Sequence, residues 1–186
     1  MEPHEKLHHD GVDLRRWRLE DAGVVLRLVT ESLEHLGPWL PWAKPGYGMK
    51  EAADFVGKND RDWAQRTAFN YAVLGPDQQV IGAAGLMSRI GPGGLEIGYW
   101  LHRDFEGRGI MRRAVIALID EGFRLGADRL EIWHDEANAR SGAIPKSLGF
   151  IEVDRCPVPE DQLAPAGSGT HLVWRLTASG LPRRPE

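Results

Sequence analysis

Cysteine is almost absent from this chain: Cys156 is the one thiol in 186 residues. A lone cysteine cannot close an internal disulfide or build a Cys-based metal cluster, and it suits a reducing compartment. Basic charge is not in surplus either. The 23 Lys and Arg residues are outnumbered by 27 Asp and Glu, for a formal net charge of -4. That balance argues against a general nucleic-acid binder and still allows a local basic patch around a phosphorylated ligand. No apolar run reaches the length of a membrane span. Residues 1–13, MEPHEKLHHDGVD, lack the apolar centre of a secretory signal. The expectation is a cytoplasmic protein with no nucleic-acid or membrane partner. His4, His8 and His9 have no partner ligand at matching spacing, so they read as part of a flexible polar tail over 1–12, and no metal is expected.

What the chain does contain suits one globular domain. It is 42% hydrophobic and 27% charged, an ordinary soluble composition, and its length supports one core with little room for a second. Asp13–Arg18 alternates polar and bulky residues and reads as a strand. Val25, Leu28, Val29, Leu33 and Leu36 share one helical face, which Gly37-Pro38 ends. The stretch PWLPWAKPGYG is irregular, and a second helix is expected over about 50–66. Phe69–Leu74, Gln79–Met87 and Leu95–Leu101 form an antiparallel meander with turns at Gly75-Pro76-Asp77 and Ile90–Gly94. A helix over Met111–Leu125, a strand over Leu130–His134, a helix over Arg140–Leu148, and strands at Phe150–Cys156 and His171–Leu176 complete the pattern. The order is β-α-α-β-β-β-α-β-α-β-β, an α+β domain over 13–176. VPEDQLAPAGSG is expected to be a mobile loop, and 177–186 a flexible tail.

The chemistry concentrates in Phe105-Glu106-Gly107-Arg108-Gly109-Ile110-Met111. Two glycines flank one residue, after a strand and before an amphipathic helix. Glycine permits a sharp turn close to a ligand, and a helix start offers unpaired N–H groups and a positive dipole end. A pyrophosphate suits such a place. The stretch is neither a P-loop nor a Rossmann fingerprint: no G-K-[ST] follows, and the third glycine is missing.

The run EIGYWLHRDFEGRGIM resembles the cofactor-binding motif of the GNAT N-acetyltransferases, and NARSGAIPKSLGF (Asn138–Phe150) resembles their second signature. LRRWRLEDA and PWLPWA further resemble the Rim-type branch, which acetylates ribosomal-protein N-termini. The resemblance implies the single-domain GNAT fold, with a mixed, mostly antiparallel central sheet flanked by helices. It also implies an acyltransferase that uses acetyl-CoA and needs no metal. By the same resemblance, the backbone N–H groups of Gly107, Arg108, Gly109, Ile110, Met111 and Arg112 meet the CoA pyrophosphate. Tyr99, Trp100 and Leu101 splay from the neighbouring strand and pair with pantetheine, and Asn138 holds that arm through its amide. Ser141 stands where a hydroxyl protonates the departing thiolate; as a bare residue it also reads as a helix-start cap. Glu106 departs from the family pattern, since a carboxylate beside a pyrophosphate is unfavourable; Arg108, Arg112 and Arg113 are candidates to offset it.

Acetyl transfer to an amine needs a base for the ammonium and a proton for the thiolate. Glu96, early on the third meander strand, is the candidate base, with Glu131 and His134 behind it and a solvent-facing strand position as the alternative. Cys156 reads as a packed residue rather than an acyl carrier. Trp39, Trp42 and Tyr47, on the irregular segment, are candidates to line the acceptor cleft. The expected acceptor is a protein or peptide α-amino group. A small-molecule amine is the alternative, and a non-catalytic acyl-CoA-binding module is a third reading. An exposed strand edge leaves a homodimer open.

Overall fold

The computed structural model describes residues 1–180. Its strands are β1 (Lys6–His9), β2 (Val12–Arg16), β3 (Ala68–Leu74), β4 (Val80–Met87), β5 (Gly94–Leu101), β6 (Arg129–Asp135), β7 (Ile151–Pro157) and β8 (Thr170–Thr177). Its helices are α1 (Ala22–Glu31), α2 (Leu33–Leu36), α3 (Met49–Gln65), α4 (Ile110–Arg124) and α5 (Ala139–Ser147). The eight strands form one sheet in the order β1-β2-β3-β4-β5-β6-β8-β7. All pairs are antiparallel except β5–β6. This is the mixed, mostly antiparallel α+β fold expected.

Two elements differ from the sequence reading. Residues 6–9, read as tail, pair with β2 as strand β1. Its polar residues hid this strand, although the Asp10-Gly11 turn, with φ of 45° and 76°, closes a local hairpin onto β2; ahead of the strand, the His4 N–H donates to Glu121 and the Tyr71 hydroxyl donates to the His4 carbonyl. The first helix breaks at Ser32 into α1 and the single turn α2. Of the expected C-terminal tail, Thr177 ends β8 and 178–180 form a 3-10 turn; 181–186 lie outside the described residues.

The helices cover the sheet with two apolar clusters. Ile110, Met111, Ala114, Val115 and Leu118 of α4 pack with Leu86, Ile97, Leu130 and Ile132. Val25, Leu28, Val29, Ala52 and Val56 of α1 and α3 pack with Ala72, Ala83 and Trp100. Alternating burial is how each strand serves both clusters. Gly37, after α2, is required by space: a Cβ there would lie 2.8 Å from the Leu33 carbonyl oxygen and 2.9 Å from that of Ala43. Among the described residues, no helix is long and apolar enough to cross a membrane.

The feature that positions the site is the short pairing of β5 with β6. It is confined to Gly94–Arg129, Leu95–Leu130 and Glu96–Glu131. Beyond it β5 stays paired with β4 as far as Leu101, and β6 with β8 as far as Asp135. The middle of the sheet therefore parts, leaving unpaired strand edges on both sides of a gap.

Candidate active site

At the open end of β5 a 3-10 turn (Arg103–Phe105) leads into the glycine pair. Gly107 and Gly109 have φ of 70° and 67°, and nothing lies within 4 Å of where a Cβ would stand on either. They are glycine for conformation, not for crowding. The first backbone bond of α4 runs from the Arg113 N–H to the Gly109 carbonyl. The preceding N–H groups of Ile110, Met111 and Arg112 stand at the helix start, where intrahelical acceptors run out. The Arg113 guanidinium donates to the Gly109, Arg108 and Asp10 carbonyls, so it stiffens the loop from behind. Arg108 lies over the Phe105 ring at 5.5 Å. Such a cradle fits a pyrophosphate.

The far wall of the gap is α5. Asn138 caps it, its Oδ1 accepting from the Ser141 N–H at 3.2 Å, which leaves the amide NH2 end as a donor. Ser141 is therefore not the cap; Asn138 is. The Ser141 Oγ lies 3.4 Å from the Tyr99 Oη, which reaches across from β5. The side chains of Tyr99 and Ser141 thus meet across the gap.

Glu106 has its own partners. Its carboxylate accepts from Arg140 Nη1 of α5 at 2.6 Å and lies 2.9 Å from His35 Nε2 of α2. Arg112 donates to Ser147 instead, at 3.2 Å. The charge expected to be offset by Arg108, Arg112 and Arg113 is met by Arg140 and His35, neither of which is adjacent in sequence.

Of the candidates for proton removal, Glu96 and Glu131 lie on the other face of the sheet, while His134 faces α5 at Gly142. Glu96 is buried, and both its oxygens accept from Arg89, at 2.6 and 2.5 Å. Glu131 accepts from Trp133 Nε1 and from Arg175 and Arg129, so it serves as a structural hub. The ring of His134 is spent on structure. Trp174 Nε1 donates to its Nε2 at 2.9 Å, so Nδ1 carries the proton that is given to the Asp135 carbonyl at 2.7 Å. Burial holds its pKa below the ordinary histidine value, and the ring lies nearly coplanar with that of Trp174, the planes 14° apart.

Sequence reasoning missed His171. It sits opposite Asp135 in the β6–β8 register, its ring edge-on to Trp133 at 6.4 Å. Burial lowers its pKa; Asp135 and Glu96 oppose that shift and Arg89 reinforces it. The net direction leaves a neutral imidazole at pH 7. Its only sequence signal was alternation on the last strand.

The loop expected to be mobile is tied down. Asp135 accepts from the N–H groups of Ala137, Ser168 and Gly169, and the Ala166 N–H donates to the Pro38 carbonyl. It thereby meets the irregular segment that carries Trp39, Trp42 and Tyr47. Trp42 is exposed and its ring lies 6.0 Å from Trp100 and 6.1 Å from Tyr47. Tyr47 is half-buried, and burial, helped by Glu51, pushes its pKa up to about 12. Trp39 is half-buried on the same segment.

The approach of α5 to β6 sets the width of the gap, and it depends on Gly142. A Cβ there would stand 2.7 Å from His134 Cε1 and 2.8 Å from Nε2, and that ring is held at both nitrogens. Gly142→Ala should cost about 1–3 kcal/mol by overpacking. A denaturant melt reads the loss; an unchanged midpoint would show that His134 yields freely.

The chain as a whole is similar to known proteins. The acetyltransferase (GNAT) domain family matches residues 12–151. YdaF of Bacillus subtilis (strain 168), provisionally assigned as a ribosomal N-acetyltransferase, is 27% identical over 148 residues, 77% of this chain and 80% of that protein. The structure of RimL, a ribosomal L7/L12 α-N-protein acetyltransferase in complex with coenzyme A, superposes with a TM-score of 0.83 at 20% identity, covering 93% of this chain and 98% of that one. MccE, a microcin C7 self-immunity acetyltransferase in complex with acetyl-CoA and AMP, superposes with a TM-score of 0.81 at 19% identity, covering 90% of this chain and 93% of that one. With the family matched across most of its length and the parted sheet and glycine cradle in place, the chain belongs to the GNAT acetyltransferases, acyltransferases that take their acetyl group from acetyl-CoA.

Proposed function

We propose that the acceptor is the α-amino group of a protein or peptide, acetylated by direct attack while acetyl-CoA is bound. The observation that carries the chemistry is the gap between β5 and β6, with the glycine cradle at one end and Ser141 on its wall. Pantetheine pairs with the free edge at Tyr99, Trp100 and Leu101, its arm held by the Asn138 amide and its pyrophosphate by the N–H groups of residues 107–112. The backbone N–H near Leu101 donates to the oxyanion as the amine adds to the carbonyl. The C–S bond then breaks, Ser141 gives its hydroxyl proton to the thiolate, and solvent returns a proton to the serine. Trp39, Trp42 and Tyr47 line the acceptor side. The names of RimL and YdaF support a ribosomal or other protein substrate. MccE, an immunity acetyltransferase on the same fold, supports the second reading of a small-molecule acceptor. Acceptor competition decides between them. Peptides with a free α-amine should be acetylated, and the same peptides blocked at the N-terminus but carrying lysine should not; faster turnover of small amines would favour the second reading.

The ammonium's proton leaves on the face shared by Glu96 and His171. Glu96 serves as base only if Arg89 gives up a bond, whereas His171 presents a neutral imidazole. The titratable and charged groups that act on that imidazole are Asp135 and His134 on β6, Glu96 on β5 and Arg89 after β4. As pH falls through a depressed histidine pKa the base is lost, so turnover falls. His171→Gln should lower kcat about 10²-fold and flatten the acidic limb of the pH–rate profile, with Glu96→Gln retaining that limb. The opposite pattern returns the role to Glu96.

A cytoplasmic homodimer completes the proposal. β7 is an edge strand, exposed along most of its length with Ile151 and Val153 at the surface, which supports pairing between copies.

A further inference from the structure

Pro145 lies inside α5. In a regular helix the carbonyl of residue 141 accepts from the N–H of residue 145, and proline has none. The Ser141 carbonyl is therefore left over in a half-buried place, where an unmet acceptor is costly. Tyr99 fills the vacancy: its hydroxyl donates to the Ser141 carbonyl at 2.9 Å. The same phenolic oxygen lies 3.4 Å from the Ser141 Oγ. Because the phenol's one proton goes to the carbonyl, only its lone pairs face the serine hydroxyl. The serine proton is thus drawn toward Tyr99, through a contact longer than a well-made O–H···O bond and easily exchanged for a stronger acceptor.

We infer that Tyr99 is a positioning residue for Ser141: it completes the backbone of α5 at the position Pro145 leaves open, and it aims the serine hydroxyl until the thiolate forms. The inference rests on Ser141 as proton donor. Tyr99 itself transfers no proton. Burial pushes its pKa up to about 12, against a smaller opposing effect of the hydrogen bond to Ser141, so it stays a donor at neutral pH. The thiolate, once formed, is the better acceptor; the Ser141 proton turns to it, while the Tyr99-to-carbonyl bond stays made. The arrangement depends on one proline and one tyrosine, far apart in sequence and joined only by the fold.

The test is a set of variants read by kcat, by KM for acetyl-CoA, and by a direct CoA titration. Tyr99→Phe should lower kcat about tenfold, the loss expected for one buried hydrogen bond, with KM for acetyl-CoA nearly unchanged. In a Ser141→Ala background the same substitution should cost nothing further in kcat, because no hydroxyl remains to aim. Adding Pro145→Ala to Tyr99→Phe should recover part of kcat, since alanine, unlike proline, supplies the missing backbone N–H; the pair also keeps the test open if Tyr99→Phe alone folds poorly. Equal losses with and without Ser141, or a Tyr99→Phe enzyme with full turnover, would overturn the inference. Full turnover by Ser141→Ala alone would instead remove the serine from the mechanism.

Discussion

Replacing Ser141 with alanine should lower kcat about 10²-fold or more, with CoA bound as tightly as before. A positioned proton donor contributes about 10²–10⁴-fold. The Ser141 Oγ is the hydroxyl at the wall of the parted strands, with Tyr99 as its side-chain neighbour. Asn138 caps α5, so removing the hydroxyl takes no bond from the helix start. The loss should therefore fall on turnover and spare stability. Thiol release gives kcat, a thermal melt gives stability, and CoA titration gives affinity. Because a better leaving group needs no proton, an acetyl donor with a more acidic thiol should narrow the gap between variant and wild type. A turnover loss matched by an equal loss of CoA affinity would instead make Ser141 a binding residue.

Substituting valine for Gly109 should weaken acetyl-CoA binding about tenfold or more. Gly109 has φ of 67°, where an L side chain costs about 1–2 kcal/mol, more for a β-branched one. The loop would relax toward negative φ and swing the N–H groups ahead of α4 out of line. Since 1.4 kcal/mol is about a factor of ten in affinity, the strain alone is large enough. Gly126 supplies the control. It has φ of 93° and nothing within 4 Å of a Cβ position, so Gly126→Val should carry a similar strain at the opposite end of α4. The control should lower the melting temperature and leave CoA affinity unchanged. Equal affinity losses in both would mean that general strain, not the cradle, sets binding.

The readability of this chain followed the range of the forces involved. Amphipathic α4 and the meander β3–β5 were legible because their periodicity is local: Ala114, Val115 and Leu118 share one helical face, and the turns between the strands carry glycine and proline. The glycine loop and the Asn138–Phe150 segment were legible because short motifs hold their chemistry within a few residues. β1 was not, because its residues are polar and the Asp10-Gly11 turn that folds it onto Val12–Arg16 was read as tail; the contacts of the preceding His4 with Glu121 and Tyr71 lay out of reach of any local pattern. The partners of Glu106 were invisible for the same reason, because His35 and Arg140 come from helices on either side of the loop. Glu96 was legible as a strand carboxylate, but its burial and its ion pair with Arg89 were not. His171 was hidden by its context, a lone histidine in a strand otherwise dominated by packing. Pro145 was legible as a residue, and its consequence for Tyr99 required the sheet.

The measurement closest to the central claim is CoA thiol release from acetyl-CoA, at steady state, with both acetyl-CoA and an acceptor peptide varied. Release should depend on a free α-amine, reciprocal plots should intersect as they do for a ternary complex, and the acetyl group should be found on that amine. Tight CoA binding with no amine-dependent release, or parallel plots with the acetyl group first appearing on the protein, would contradict it.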